Sequence, residues 1–204
     1  MRSMIYSLTK PKPTVFCEPM TDFGASKRHS DFRPLRDNDS EQWLSIYQEA
    51  KNALKYGGTF AFVGERGNGK TQAAISLMAY FNYNFDLSVR YTTAHDLFLA
   101  LMGTFSGHER GKGEPNPAES FFGAKMLVID ALEVRKESAF EMRELSNLID
   151  KRYGDPKKIT VLISNDKPEN LAEFIGISSI ERMKEDGGII TFTGNNFRRK
   201  ENSK

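Results

Sequence analysis

Eight consecutive residues, Gly64-Glu65-Arg66-Gly67-Asn68-Gly69-Lys70-Thr71, stand between two apolar segments. The first is a short run, Thr59-Phe60-Ala61-Phe62-Val63; the second places Ala73, Ala74, Leu77, Met78 and Phe81 at helical spacing. A strand that enters a glycine-rich turn and opens at once into an amphipathic helix leaves few folds available. The octapeptide also fits the phosphate-loop pattern G-x-x-x-x-G-K-[ST] without a gap. Its glycines let backbone N–H groups converge on phosphate oxygens where a β-carbon would obstruct the approach. Lys70 adds a positive charge for the β- and γ-phosphates, and the helix N-terminus points at them. Thr71 supplies a hydroxyl ligand for Mg2+, a cation that takes oxygen donors. Such a pattern arises by chance in loops; the strand before it and the helix after it argue for a nucleotide site here.

The alternation of strand and helix continues along the chain. Asp39-Ser40-Glu41-Gln42 offers capping chemistry before a helix carrying Trp43, Leu44, Tyr47, Ala50 and Leu54, which Gly57-Gly58 ends. Leu87 to Thr92 reads as a second strand, and Thr93-Ala94-His95-Asp96 as the start of a helix with Leu97, Phe98, Leu101 and Met102. Residues 103–118, rich in glycine and proline, read as a loop. Met126 to Ile129 is a continuous apolar run, as expected of a strand covered on both faces. Further helices are expected through Phe140, Leu145, Leu148 and Ile149 to an end near Tyr153-Gly154, over Leu171 to Ile175 and around Arg182; further strands over Ile159 to Ile163 and Ile189 to Phe192. This succession predicts an α/β fold, a three-layer sandwich with a mostly parallel central sheet. Residues 1–40, with Pro11, Pro13, Pro19 and Pro34 among scattered charges, read as an arm, residues 41–197 as the core, and 198–204 as a basic tail.

Composition removes several alternatives. A chain of 204 residues leaves room for one ordinary domain. No apolar run approaches the roughly 20 residues that a membrane-spanning helix needs. Met1 to Pro11 lacks the apolar core of a signal peptide, and the one cysteine, Cys17, has no intrachain partner, so a cytoplasmic setting is expected. The formal charge of +2 excludes a globally basic nucleic-acid binder.

Asp130 follows the apolar run Met126–Ile129, and a carboxylate at the carboxyl end of a core strand can hold Mg2+ directly or through water. A lone Asp there could merely begin a turn, but its pairing with the phosphate loop favours the metal role. Later residues then fall into a recognisable order: Val161-Leu162-Ile163-Ser164-Asn165, Ile180-Glu181-Arg182-Met183, Gly187-Gly188-Ile189-Ile190 and Asn196-Phe197-Arg198. From about Trp43 to Arg199 the chain resembles the AAA+ ATPases of the DnaC/IstB group, which includes helicase loaders and transposition helper ATPases. The resemblance implies a P-loop NTPase core of AAA+ type, here with no separate helical lid domain, and ATP with Mg2+ as cofactors. It implies that Asn165 orients the attacking water, and that Arg182 is an arginine finger reaching a neighbouring subunit's nucleotide. Arg198 resembles the late arginine that reads the γ-phosphate, and adjacent Arg199 can take its place after a one-residue shift. Read by themselves, Asn165 could cap a turn and the two arginines could be solvated surface residues.

Two departures qualify this. The group carries Asp-Glu at the end of the second motif strand, with the glutamate polarising water; here the order is Asp130-Ala131-Leu132-Glu133. A methyl group neither accepts a proton nor aligns water, so weak hydrolysis with intact ATP binding is expected, Glu133 substituting only if the turn bends. Loaders of this group also carry an N-terminal helicase-binding domain. Here only about 40 residues precede the first helix, either a docking arm anchored by Val15, Phe16, Phe23 and Phe32 or a tail packed on its own domain. The resemblance implies single-stranded DNA binding. Candidate contacts are Arg110 and Lys112 of the 103–118 loop, with Phe105 as a stacking residue, and Arg199 and Lys200 of the tail, the alternative being a loop that is simply solvated. The reading is an ATP-binding loader or accessory factor that forms homo-oligomers on ATP and helps place a replicative DNA helicase on single-stranded DNA. The alternatives are a transposition helper ATPase and a non-catalytic scaffold that nucleotide stabilises.

Overall fold

The computed structural model describes residues 40–105, 117–132, 139–194 and 196–197. The expectations placed on Glu133, Arg110, Lys112, Arg198, Arg199 and Lys200, and on the N-terminal arm before Ser40, lie outside the described residues.

The first element, α1 (Ser40–Leu54), buries Trp43, Tyr47, Ala50 and Leu54. These positions recur every three or four residues and form one stripe. Leu44, one step round the helix from Trp43, stays 44% exposed. Gly57, at φ 71°, donates its N–H to the Leu54 carbonyl and closes the helix. There follow β1 (Gly58–Val63), α2 (Lys70–Phe85), β2 (Val89–Thr93) and α3 (Ala94–Phe105). The expected cap of α3 is present: Thr93 Oγ1 donates to Asp96 Oδ2 at 2.7 Å and accepts the Asp96 N–H at 3.1 Å. After α4 (Pro117–Gly123) and β3 (Met126–Leu132) come α5 (Ala139–Tyr153) and β4 (Ile159–Ser164). A single 3-10 turn, Pro168–Asn170, leads to α6 (Leu171–Ile175), α7 (Ile177–Asp186) and β5 (Gly188–Thr191). Among the described residues no helix follows β5.

The five strands form one sheet in the order β2-β3-β4-β1-β5, and every neighbouring pair is parallel. Burial explains why β1 and β4 read as unbroken apolar runs: all six residues of each are buried, because helices cover both faces. Side chains alternate between two cores. Phe60, Phe62, Val128, Val161 and Ile163 pack with α1 and α2; Ala61, Val63, Leu127, Ile129 and Leu162 pack with α3 to α7. The three-layer sandwich is therefore as expected.

Two features were not anticipated. Residues 103–118 are not wholly loop: α3 continues to Phe105 and α4 starts at Pro117. Proline suits a first helical position because its missing N–H would have no intrahelical partner there. Burial of Phe121 then anchors the short helix to the core of α3 and α5. The other feature is Arg152, a charged residue only 1% exposed. Its guanidinium donates to the carbonyls of Phe121, Phe122, Ala124 and Ile159 and to Thr160 Oγ1 at 2.8–3.3 Å. Desolvation pushes its pKa down to about 10, still far above neutrality, so the group stays charged.

Candidate nucleotide site

Topology assembles the site. The chain leaves β1 through the glycine loop and α2, crosses to the far edge at β2, and returns through β3 and β4. That return inserts β4 between β1 and β3, so the carboxyl ends of the three strands lie side by side. A crevice at such a reversal of strand order is where parallel α/β sheets bind ligands.

Gly69, at φ 83°, caps α2 without a side-chain hydrogen bond, and the first turn of α2 contains no acidic residue. Nothing of opposite charge in that turn therefore offsets the positive end of the helix dipole, the arrangement that attracts an anion. The Lys70 side chain folds back across the loop, and its ammonium donates to the carbonyls of Gly64 and Glu65, each at 2.7 Å. Lys70 is 4% exposed, so this charge is held at the loop rather than spread into solvent. Glu65 and Arg66 project outward at the loop's tip.

The loop is braced from both ends of the described core. Trp43 of α1 donates its indole N–H to the Gly69 carbonyl at 3.3 Å and stacks on Tyr47 with centroids 5.3 Å apart. From the other side the segment after β5 folds over the loop. Phe197 donates its N–H to the Gly67 carbonyl at 3.1 Å, and buried Asn68 donates its side-chain amide to the Phe192 carbonyl at 2.8 Å. Gly67 has φ 95°, and a β-carbon there would lie 2.0 Å from Asn196 Oδ1. The Asn196 side chain could turn aside from such a carbon, so it is the backbone conformation that calls for glycine here. The Asn68 side chain shapes the loop, leaving its backbone as the part available to a phosphate.

Across the crevice Thr71 Oγ1 donates to Asp130 Oδ2 at 2.8 Å, so the two residues expected to hold Mg2+ are in contact. The carboxylate has two further donors: the Tyr91 hydroxyl reaches Oδ2 at 2.7 Å, and the Ala131 N–H reaches Oδ1 at 2.6 Å. Burial first, and then the charge of Asp130, raise the Tyr91 pKa well above the usual phenol value, so it remains a donor. Asp130 lies at a bulge. Ile129 pairs with Leu162 and Leu132 with Ser164, which leaves one extra residue on β3. Ala131 absorbs it in the left-handed region at φ 60° and is exposed. No carboxylate stands at that position. Among the described residues no group of three or more His, Cys, Asp or Glu side chains is placed to hold a metal. A hydroxyl with a single carboxylate fits Mg2+, which completes its shell with phosphate oxygens and water.

Asn165 follows β4 directly, half-buried at the same carboxyl edge of the sheet. The preceding Ser164 donates to the Leu132 carbonyl at 2.8 Å and accepts the Asp166 N–H, tying the exits of β3 and β4 together. Arg182 lies on α7, where it forms an ion pair with Asp150 of α5 and sits 5.8 Å from the Tyr153 ring centroid. It is therefore engaged within its own subunit. Sequence reasoning missed Tyr91, Trp43 and Asn196 as neighbours of the site. Alternation in β2 places Tyr91 on the same face as Val89, but its reach to Asp130 depends on the register with β3.

The model of the IstB-like ATP binding protein family matches residues 38–204. The replicative helicase loader DnaC of Buchnera aphidicola subsp. Acyrthosiphon pisum is 27% identical over 141 residues, 69% of this chain and 56% of that protein. The protein of the same name from Escherichia coli K12 is 26% identical over 167 residues, 76% of this chain and 66% of that protein. The chain thus spans between about half and two thirds of the length of these relatives. Among solved structures, that of the DnaC helicase loader has a TM-score of 0.66 at 18% identity, covering 82% of this chain and 100% of that one. The DnaI structure gives 0.58 at 17% identity, with 89% and 94% covered. At these identities the superpositions establish the fold. Among the described residues no helix is long and apolar enough to cross a membrane.

Proposed function

Since the chain belongs to the IstB-like ATP binding protein family, we propose that it is an ATP-controlled loader or accessory factor for a replicative helicase. The observation that carries the nucleotide half is the contact between Thr71 and Asp130 beside the uncapped start of α2. Support for the helicase half comes from relatives named as replicative helicase loaders, of which this chain matches a part. In this reading the backbone of Gly64 to Gly69 and the Lys70 ammonium bind the phosphates of ATP. Thr71 and Asp130 hold Mg2+, which when bound neutralises phosphate charge. Asn165 positions water, and Ala131 leaves that water without a base, so binding rather than rapid turnover drives the change of state. Arg182 and Arg198, or Arg199 in its place, would contact nucleotide after assembly of a homo-oligomer. Arg110, Lys112, Arg199 and Lys200 would contact single-stranded DNA. Such a loader would work in a bacterial or phage-infected cytoplasm.

Helicase loading onto single-stranded DNA, measured with purified helicase and ATP, tests the whole reading. Lys70→Ala removes the buried charge at the loop and should lower ATP affinity about tenfold or more, since a charge-assisted hydrogen bond contributes roughly 1.5–3 kcal/mol. Loading should fall with it. Wild-type protein that binds ATP yet neither captures nor loads a helicase would leave the nucleotide site standing and overturn the loader assignment.

A further inference from the structure

Asp130 carries one hydroxyl donor that the phosphate-loop pattern does not account for. Thr71 approaches Oδ2 from the start of α2, and Tyr91 approaches the same oxygen from β2, at 2.8 and 2.7 Å. In the sheet Tyr91 is paired with Val128 and Thr93 with Asp130, so the phenol reaches along the sheet toward the carboxyl edge. Its ring packs against the core shared by α1 and α2, half-buried. A seated ring has few torsions to order, so its hydroxyl is held in place at small entropic cost.

We infer that Tyr91 is a positioning residue for Mg2+: from the β2 side it keeps the Asp130 carboxylate turned toward Thr71, where the two can share a divalent cation with nucleotide phosphates. The inference rests on the nucleotide reading above. Two observations make this role matter in this chain. The Thr71 hydroxyl must offer a lone pair to the cation, and Tyr91 continues to hold the carboxylate while it does so. The adjacent position is Ala131, left-handed and exposed, so the next residue along the strand brings no second acidic side chain to share the work. With one carboxylate, the orientation of that group sets how well the cation is bound, and partners behind a metal ligand typically change affinity by about 10–100-fold.

The test is Mg2+ titration of the binding of a fluorescent ATP analogue to the full chain. Wild type, Tyr91→Phe, Asp130→Ala and the double variant are compared, each also in EDTA and each checked by thermal melting. Tyr91→Phe keeps the ring in the core and should raise the half-saturating Mg2+ concentration about tenfold or more, with analogue affinity in EDTA and the melt preserved. In the Asp130→Ala background it should add nothing. An unchanged Mg2+ requirement overturns the inference, and so does an equal loss of affinity in EDTA, which would assign Tyr91 to loop packing. A wild-type protein that binds the analogue without regard to Mg2+ removes the cation role of Asp130 and the inference together. One that binds no analogue at all overturns the nucleotide reading itself.

Discussion

Ala131 combines two properties that act on different processes. Its methyl group stands where the sequence resemblance implies a water-polarising glutamate, and its φ of 60° lies where a β-carbon costs roughly 1–2 kcal/mol. The Ala131 N–H donates to Asp130 Oδ1, while Thr71 and Tyr91 share Oδ2, and neither contact involves the side chain at position 131. Ala131→Glu should therefore leave folding nearly unchanged, since both residues meet the same backbone restriction and the position is exposed. It should raise ATP turnover by about tenfold or more, a modest share of the 10²–10⁴-fold typical of a well-placed base. Phosphate release per protomer measures it; unchanged turnover would place the limit elsewhere, in water positioning or assembly. The missing carboxylate could be read directly from the sequence. The left-handed backbone could not, because it follows from the extra residue that β3 inserts opposite β4.

Arg152 shows how one side chain holds several elements together. From the end of α5 it donates to carbonyls at the end of α4 and just beyond it, and to both the carbonyl of Ile159 and the hydroxyl of Thr160 in β4. All of these acceptors but the half-buried Phe122 carbonyl are buried, and each buried one left without a donor costs on the order of 1–3 kcal/mol. Arg152→Ala should lower stability by about 3–5 kcal/mol, enough to remove much of the margin of an ordinary domain. Urea denaturation followed by circular dichroism would report it, with loss of soluble protein as the extreme result. A cost below about 1 kcal/mol would mean that water replaces the guanidinium. The expected strands and the long helices agree with the structure to within about three residues, because continuous apolar runs and 3.6-residue stripes record burial directly. By contrast, α4 was hidden in a glycine- and proline-rich stretch. Its helix depends on burying Phe121 and on donors from Arg152, neither of which is a local property.

In the molecule as a whole, the glycine loop is the meeting point of α1, the inner strands and the segment after β5, which brings distant parts of the chain together there. Arg182 faces away from this convergence, paired with Asp150. For it to reach a second copy the pair must open, and a partly exposed ion pair costs only about 0.2–1 kcal/mol to break. A charge-assisted contact with nucleotide is worth more, roughly 1.5–3 kcal/mol, so assembly on ATP can displace Asp150. Arg182→Ala should then bind ATP normally but remain monomeric in light scattering under conditions in which the wild type assembles. Assembly equal to wild type would assign Arg182 to holding α7 on α5.

The sequence alone determined the parallel α/β architecture, the phosphate loop, and Asp130 as its partner. Each of these is written locally, as a burial pattern or as a spacing within one element. Only the tertiary structure decided that Tyr91 shares Asp130 with Thr71, that Trp43 and Phe197 brace the glycine loop, and that Arg182 is held by Asp150. Those pairings depend on strand register and on the order in which the chain fills its sheet. Both are settled by packing among residues far apart in sequence, and no local pattern encodes them.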